Sequence, residues 1–410
     1  MLQEVVVGHK SLADYNHIVG RPLIEEIRTL AEPLQGKRVL HLSATAFGGG
    51  VSEILYTLVP LMKDIGLDVH WQVIYGREEF YNTTKQMHNA LQGNPKDPSP
   101  AEWRTWLRYN DMNARELMEG WDYAIIHDPQ PAALASMAPE KAANWIWRCH
   151  IDLSTPNPAT LERLLPYIQQ YPTSLFHMRD YVPDGVDGNV RIVPPAIDPL
   201  APKNMALPRE EAIHICGQLG LDVERPLICQ VSRFDPWKDP MGVIDAYRIV
   251  KRAVPETQLA LVGSMATDDP EGWEFFDATV AHAEGDPDIL ILNNFNNVGA
   301  IEVNAFQSHA DVLVQKSTRE GFGLTVSEAI WKARPFIGGD VGGIPLQVKD
   351  GETGFLVSSV EQCAERMQRI LEDPELGRTL GRAGKEHVRA HFLTPRLLRD
   401  WLRIFHEAAA

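Results

Sequence analysis

The chain has 410 residues, 44% of them hydrophobic and 23% charged, a globular composition that excludes wholesale disorder and, at roughly 150 residues per domain, predicts two or three domains. Its 39 Lys and Arg against 55 Asp and Glu leave a formal net charge of −16, which excludes a general nucleic-acid binder, since affinity for phosphate backbones comes from cations. No run approaches the about 18 apolar residues of a membrane span, and Met1-Leu2-Gln3-Glu4 shows no signal core, so a cytoplasmic setting is expected.

Residues 1–35 predict an amphipathic helix around Ile24, Ile27 and Leu30, closed by Pro33 and Gly36. The apolar run Arg38–Leu42 predicts a strand, followed by Gly48-Gly49-Gly50 and a helix through Ile54, Leu55, Leu58 and Leu61. Further strands are expected at Val69–Ile74, Tyr123–Ile126, Trp145–Trp147 and Ser174–Phe176, with helices or loops between. Val193–Pro202 carries four prolines and reads as a stiff linker and hinge boundary. Beyond it come strands at Leu227–Val231, Leu259–Val262, Ile289–Leu292, Asp311–Val314, Pro335–Ile337 and Gly354–Val357. Helices are expected at Pro240–Val254, Leu324–Lys332, Val360–Leu371 and Pro395–His406. Repeated strand-then-helix predicts α/β architecture: two doubly wound, Rossmann-like domains, 1–195 and 196–392, facing across a cleft. The four cysteines, Cys149, Cys216, Cys229 and Cys363, lie far apart and read as reduced, buried thiols.

Five segments carry candidate chemistry. Gly48-Gly49-Gly50 lets backbone amides approach a ligand at a helix start, although many tight turns are equally glycine-rich. His127 and His150 each end a strand beside a carboxylate, Asp128 and Asp152; a capped core histidine is the plainer reading of either. Arg233 and Lys238, leaving the first strand of the second domain, suit a diphosphate, or else form a salt-bridged turn with Asp235 or Asp239. Asp286-Pro287-Asp288 has the look of a metal-holding pair, but its central proline argues for a turn. Arg319-Glu320-Gly321-Phe322-Gly323-Leu324-Thr325-Val326-Ser327-Glu328 is the strongest signal. A loop with glycine on both sides of an aromatic leads into a helix whose amides favour an anion, with Glu320 on the loop and Glu328 on the helix.

Together and in this order, these segments resemble the retaining family-four glycosyltransferases of the GT-B fold. Val341-Gly342-Gly343-Ile344 and Asp350-Gly351-Glu352-Thr353-Gly354-Phe355 extend the resemblance. A narrower one is to trehalose synthases of the glycosyl-transferring type. It rests on Thr84-Lys85 with His88-Asn89-Ala90-Leu91-Gln92-Gly93, on Trp147-Arg148-Cys149-His150-Ile151-Asp152, on Val303-Asn304-Ala305-Phe306-Gln307, and on Lys316, where many relatives carry proline. Retaining trehalose phosphorylases share much of the pattern.

The resemblance implies transfer of glucose from ADP-, UDP- or GDP-glucose to free glucose, giving trehalose. It implies that 393–410 joins the first domain. Gly48, Gly49, Gly50, Arg233, Lys238 and the Gly321-Phe322-Gly323-Leu324-Thr325 turn would hold the donor diphosphate. Glu320 would hold the donor glucose, Glu328 the ribose, and His150 the donor sugar near its reacting carbon. Lys85, Asn89, His127 and Asp152 would take the acceptor. No cofactor is required on this reading; Mg2+ is expected at most to stimulate, the sequence offering no ligand cluster for it. A homodimer is the default assembly. Readings from other classes are a sugar-nucleotide sensor that does no chemistry and a nucleotide-sugar epimerase using His127 or His150 as base.

Overall fold

The computed structural model describes residues 2–265 and 270–409; Met1 and Ala410, the ends of the expected segments, lie outside them. The chain divides into two compact units, Met1–Ala196 with Thr394–Ala410, and Ile197–Leu393.

The amino-terminal unit is built on a seven-stranded sheet. Its strands are β1 (Gln3–Glu4), β2 (Arg38–Ser43), β3 (Asp68–Val73), β4 (Trp121–His127), β5 (Ala142–Arg148), β6 (Thr173–Phe176) and β7 (Asn189–Ile192), in the order β1-β3-β2-β4-β5-β6-β7. All pairs are parallel except β1 with β3. The central strands are buried along nearly their whole length, as the continuous apolar runs require of a sheet covered on both faces. Helix Pro100–Glu116 starts on a capping box, Ser99 with Glu102, and helix Pro158–Ile168 on the Asn157 side chain.

The last helix, Thr394–Ala408, packs into this unit. The Tyr123 hydroxyl donates to the Phe405 carbonyl at 3.0 Å, and the two rings stack with centroids 4.5 Å apart. Arg396, itself buried, donates to the carbonyls of Pro194 and Pro195, both at 2.9 Å, so the proline-rich segment is held by hydrogen bonds as well as by its own stiffness.

The carboxyl-terminal unit has six parallel strands, β8 (Leu227–Val231), β9 (Gln258–Val262), β10 (Ile289–Leu292), β11 (Val312–Gln315), β12 (Phe336–Gly339) and β13 (Phe355–Val357), in the order β10-β9-β8-β11-β12-β13. Both sheets are Rossmann-like. All four cysteines are free and buried. No helix among the described residues is long and apolar enough to cross a membrane.

The structure departs from the sequence reading at several points, among them helices at Arg209–Gln218, Pro270–His282 and Ala300–His309 that it did not name. The expected single helix over residues 1–35 is broken up: short helical turns at Leu12–Tyr15 and Asn16–Val19 end at Gly20, whose positive φ interrupts them, the main helix runs Arg21–Ala31 with Pro22 in its first turn, and residues 3–4 add an edge strand. β7 is a mostly exposed strand with no apolar alternation to announce it. Helix Pro374–His391 carries Gly377, Gly381 and Gly384, which lower helix propensity. Those glycines are what let it pack: a Cβ at Gly381 would lie 2.2 Å from the Ala333 carbonyl oxygen, and one at Gly384 would lie 2.8 Å from both Ile330 and the Thr353 carbonyl oxygen.

Phe405 is fully buried, so Phe405→Ala is expected to lower unfolding stability by about 3–5 kcal/mol. Chemical denaturation would show this; a loss under about 1 kcal/mol would mean that the last helix adds little to the core.

Candidate active site

In the carboxyl-terminal unit, neighbouring strands β8 and β11 end side by side, and the turns leaving them are stitched together. After β8 the Asp235 carboxylate accepts from the Trp237 and Lys238 backbone N–H groups at 3.0 and 3.2 Å, and Arg233 lies 3.3 Å from its other oxygen. After β11 the Thr318 N–H donates to the Trp237 carbonyl at 2.8 Å, and the Arg319 guanidinium lies 4.9 Å from the Trp237 ring centre. Lys238 and Glu320 thereby meet, Nζ to Oε2 at 2.5 Å, with side chains only 14% and 8% exposed. Ser317 Oγ donates to the same oxygen at 3.3 Å. Buried Lys316 pairs with Asp239, whose other oxygen accepts from the Gly242 N–H and caps the next helix.

The Gly321-Phe322-Gly323 turn is fixed by close backbone approach. Gly323 caps helix Leu324–Trp331 at φ 78°, and the helix start has no side-chain cap. The Gly343 N–H donates to the Gly321 carbonyl at 2.9 Å, and a Cβ at Gly343 would lie 2.7 Å from that oxygen. Gln347 Nε2 donates to the Phe322 carbonyl at 2.6 Å and its Oε1 accepts from Ser327 at 2.5 Å. Leu324 and Thr325 stay half-buried.

Glu328 is buried, but not as a dipole-balancing residue of the first turn: its Oε1 lies 2.6 Å from Lys203 Nζ. Lys332, one turn further on, is pushed down to about 7 by burial, with Lys385 and Lys203 adding to the fall and Glu328 opposing it. The Asp286-Pro287-Asp288 turn is structural, since Lys251 pairs with both carboxylates and Arg225 with Asp288. Bonds from Arg225 and Lys251 hold Asp288 down to about 2. Among the described residues no group of three or more His, Cys, Asp or Glu side chains could hold a metal ion.

In the amino-terminal unit Gly48, Gly49 and Gly50 are exposed and lead into helix Gly50–Asp64. Gly48 is left-handed at φ 74°, and nothing lies within 4 Å of a Cβ built at Gly48 or Gly49. Lys85 and Asn89 lie one turn apart on the exposed face of helix Glu78–Leu91. The end of that helix is tied to the loop beyond buried Asp152, where the Asn157 N–H donates to the Ala90 carbonyl at 2.9 Å.

His127 calls for a correction. It is 2% exposed, its Nε2 lies 3.0 Å from His41 Nδ1 and its Nδ1 lies 2.9 Å from His150 Nε2. Both ring nitrogens are therefore spent within the protein, leaving none for an acceptor sugar. His150 is less buried, and His177 Nε2 lies 3.4 Å from its Nδ1. The neighbouring carboxylates take backbone partners. Asp128 accepts from the His150 backbone N–H at 2.7 Å, and Asp152 from the Ser154 N–H at 2.8 Å.

His41, His177 and Lys203 escaped the sequence reading as site residues, whereas Ser317 closes the Val314-Gln315-Lys316-Ser317 segment that carries the narrower resemblance. His41 is hidden mid-strand in an apolar run. His177 follows β6 as His150 follows β5, a repetition across neighbouring strands that could have been noticed.

Burial pushes the Asp128 carboxyl from 3.8 up to about 7, against the pull of the His150 N–H and the Arg148 guanidinium. The folded state thus holds this proton more tightly than the unfolded chain, so the group's contribution to stability is greatest below 3.8 and falls as pH rises to about 7. Asp128→Asn keeps an oxygen for the His150 N–H and removes the titration. The Tm advantage of the variant over wild type should widen between pH about 4 and 7 and then level off; a gap independent of pH would show that Asp128 ionises normally.

Two family models match the chain: the trehalose synthase amino-terminal domain over residues 41–183, and glycosyl transferases group 1 over residues 214–387. The chain is 56% identical to a trehalose synthase of Rubrobacter xylanophilus, covering 99% of both proteins, and 46% identical to one of Thermococcus litoralis, covering 97% of both. In fold it is similar to a UDP-forming trehalose-phosphate synthase of Burkholderia xenovorans, with a TM-score of 0.73 at 16% identity over 92% of this chain and 100% of that one. The chain belongs to the trehalose synthase family of glycosyltransferases, built on the GT-B fold.

Proposed function

We propose that the protein is a retaining glucosyltransferase that makes trehalose from a nucleoside-diphosphate-glucose and free glucose. The observation that carries this reading is the shielded Lys238–Glu320 pair at 2.5 Å, at adjoining strand ends with Arg233 on the same turn. On this reading Lys238 is the cation for a departing phosphate and Glu320 the carboxylate for sugar hydroxyls. The end-to-end likeness to proteins named trehalose synthase supports the choice of product.

As the bond between the anomeric carbon and the diphosphate breaks, negative charge grows on the phosphate and positive charge on the sugar ring. Lys238 and Arg233 stabilise the first, with the backbone amides at Gly49 and Gly50 and at the Leu324-Thr325 helix start. Glu320 accepts hydrogen bonds from the donor glucose and orients its anomeric carbon. Glu328, held by Lys203, accepts from the ribose hydroxyls. Retention by two carboxylates about 5 Å apart would need a second carboxylate as nucleophile. No such residue is assigned. The acceptor hydroxyl instead attacks from the face the phosphate leaves, and its proton passes to the leaving phosphate oxygen. His150 contacts the donor sugar; Asp152, Lys85 and Asn89 take the acceptor. His127 is withdrawn from the acceptor set and placed behind His150. Mg2+ enters, if added, only as a stimulant on the diphosphate.

Incubation with ADP-, UDP- or GDP-glucose, each with and without glucose, tests this directly. The expected result is glucose-dependent release of nucleotide with formation of α,α-linked disaccharide. Trehalose cleaved only with inorganic phosphate would make the protein a phosphorylase, and donor consumed without acceptor would defeat the transfer reading. Glu328→Gln should raise KM for the nucleotide-sugar about tenfold or more, as expected when a charged hydrogen-bond acceptor is lost. An unchanged KM would remove the ribose assignment.

A further inference from the structure

Four consecutive strands of the amino-terminal sheet, β2, β4, β5 and β6, each deliver one histidine to the same region. His41 lies within β2, His127 ends β4, His150 follows β5 by two residues and His177 follows β6 directly. The contacts run 3.0 Å from His41 Nδ1 to His127 Nε2, 2.9 Å from His127 Nδ1 to His150 Nε2, and 3.4 Å from His150 Nδ1 to His177 Nε2. The first two ring pairs are stacked, with centroids 5.3 and 5.2 Å apart, and the third is edge-on at 5.4 Å. Every junction therefore joins an Nδ1 to an Nε2, head to tail.

We propose that these four imidazoles form one chain sharing a single tautomer, and that His41 and His127 are positioning residues that fix which nitrogen of His150 carries its proton. The first statement follows from counting. A neutral imidazole has one N–H and one bare nitrogen, and each junction needs one of each. With the proton of His41 on Nδ1, His127 must accept at Nε2 and so carries its own proton on Nδ1, and the same holds along the chain. With the proton of His41 on Nε2, all four carry it there. Any mixture sets two N–H groups, or two lone pairs, against each other at one of the junctions. Burial favours neutrality throughout: it drives His41 down to about 3 and the other three well below their usual value, with Arg148 adding to the fall in those three. An imidazolium formed inside the chain would lack the solvation it has in water, so the chain responds by shifting tautomer rather than by gaining charge. The second statement rests on the donor-sugar role proposed for His150. If that ring touches the sugar, it does so at Nδ1, giving up the long 3.4 Å contact to His177, and whether Nδ1 donates or accepts is then set through His127 from His41, which is fully buried at the far end with Trp401 edge-on to it.

Ring-nitrogen NMR on the full-length, nitrogen-15-labelled protein reads each tautomer without substrate. The expected result is one tautomer common to all four rings; mixed tautomers would overturn the chain. The second statement is tested with His41→Phe, which keeps a ring between His127 and Trp401 but has no nitrogen, and with His41→Asn, which returns a polar group close to the Nδ1 position. His41→Phe should leave His150 averaging between tautomers and lower kcat about tenfold with KM for the nucleotide-sugar changed less than about twofold, and His41→Asn should restore both. If His41→Phe does not fold, the wild-type tautomers and the His41→Asn kinetics still decide. Normal kcat in a His41→Phe protein with a disturbed His150 tautomer would overturn the positioning role. Wild-type protein that makes no disaccharide would instead defeat the proposed reaction and leave the shared tautomer standing.

Discussion

Lys238 and Glu320 are both withdrawn from water and meet at 2.5 Å. Removing one partner of such a pair typically costs about 3–5 kcal/mol, because the survivor is left buried and uncompensated. Much of the surrounding backbone can be read as the means of bringing these two groups together. Asp235 folds the turn that presents Lys238, and the Thr318 to Trp237 hydrogen bond fixes the turn carrying Glu320 against it. A Cβ at Gly339 would lie 2.2 Å from the Ser317 carbonyl oxygen, so glycine at the end of β12 is what leaves room for the segment that holds Glu320. Ion-pair geometry, turn chemistry and strand order are thus one constraint seen at three scales.

The amino-terminal unit solves a different problem. It buries four imidazoles and sets them against one another in sequence. Adjacent parallel strands provide the spacing at no extra cost, since neighbouring strands run about 4.8 Å apart and hydrogen-bonded rings fit that repeat. Asp128, in a left-handed conformation, then spends its carboxylate on the His150 backbone N–H, fixing where that ring emerges rather than titrating against it.

How much of this could be read from sequence depended on the kind of signal. Leu227–Val231 and Ile289–Leu292 were legible to the residue because short apolar runs bounded by turn formers have little choice in a doubly wound sheet. Lys238 and Glu320 were legible as candidates, but their pairing was not, since 82 residues separate them. The salt-bridged turn expected for Arg233 is present, whereas Lys238 spans to another strand end instead. Lys203 sits in an irregular stretch where no periodicity marks it as the partner of Glu328. Helix Pro374–His391 was not read at all: its glycines lower helix propensity, yet they serve close packing that only the tertiary structure reveals. His127 was singled out for a ligand because it ends a strand; its burial and its two imidazole partners are invisible in one dimension.

The central claim is that Lys238 and Glu320 act on the two ends of one breaking bond, and a double-mutant cycle on turnover tests it most directly. Lys238→Met and Glu320→Gln, singly and together, would be compared by kcat/KM for nucleotide-sugar and glucose, with folding checked by thermal unfolding. The account predicts that each single change lowers kcat/KM by about a hundredfold or more, and that the double variant is scarcely worse than either single one. Losses that simply multiply, or a Lys238→Met enzyme turning over at near wild-type rate, would contradict it.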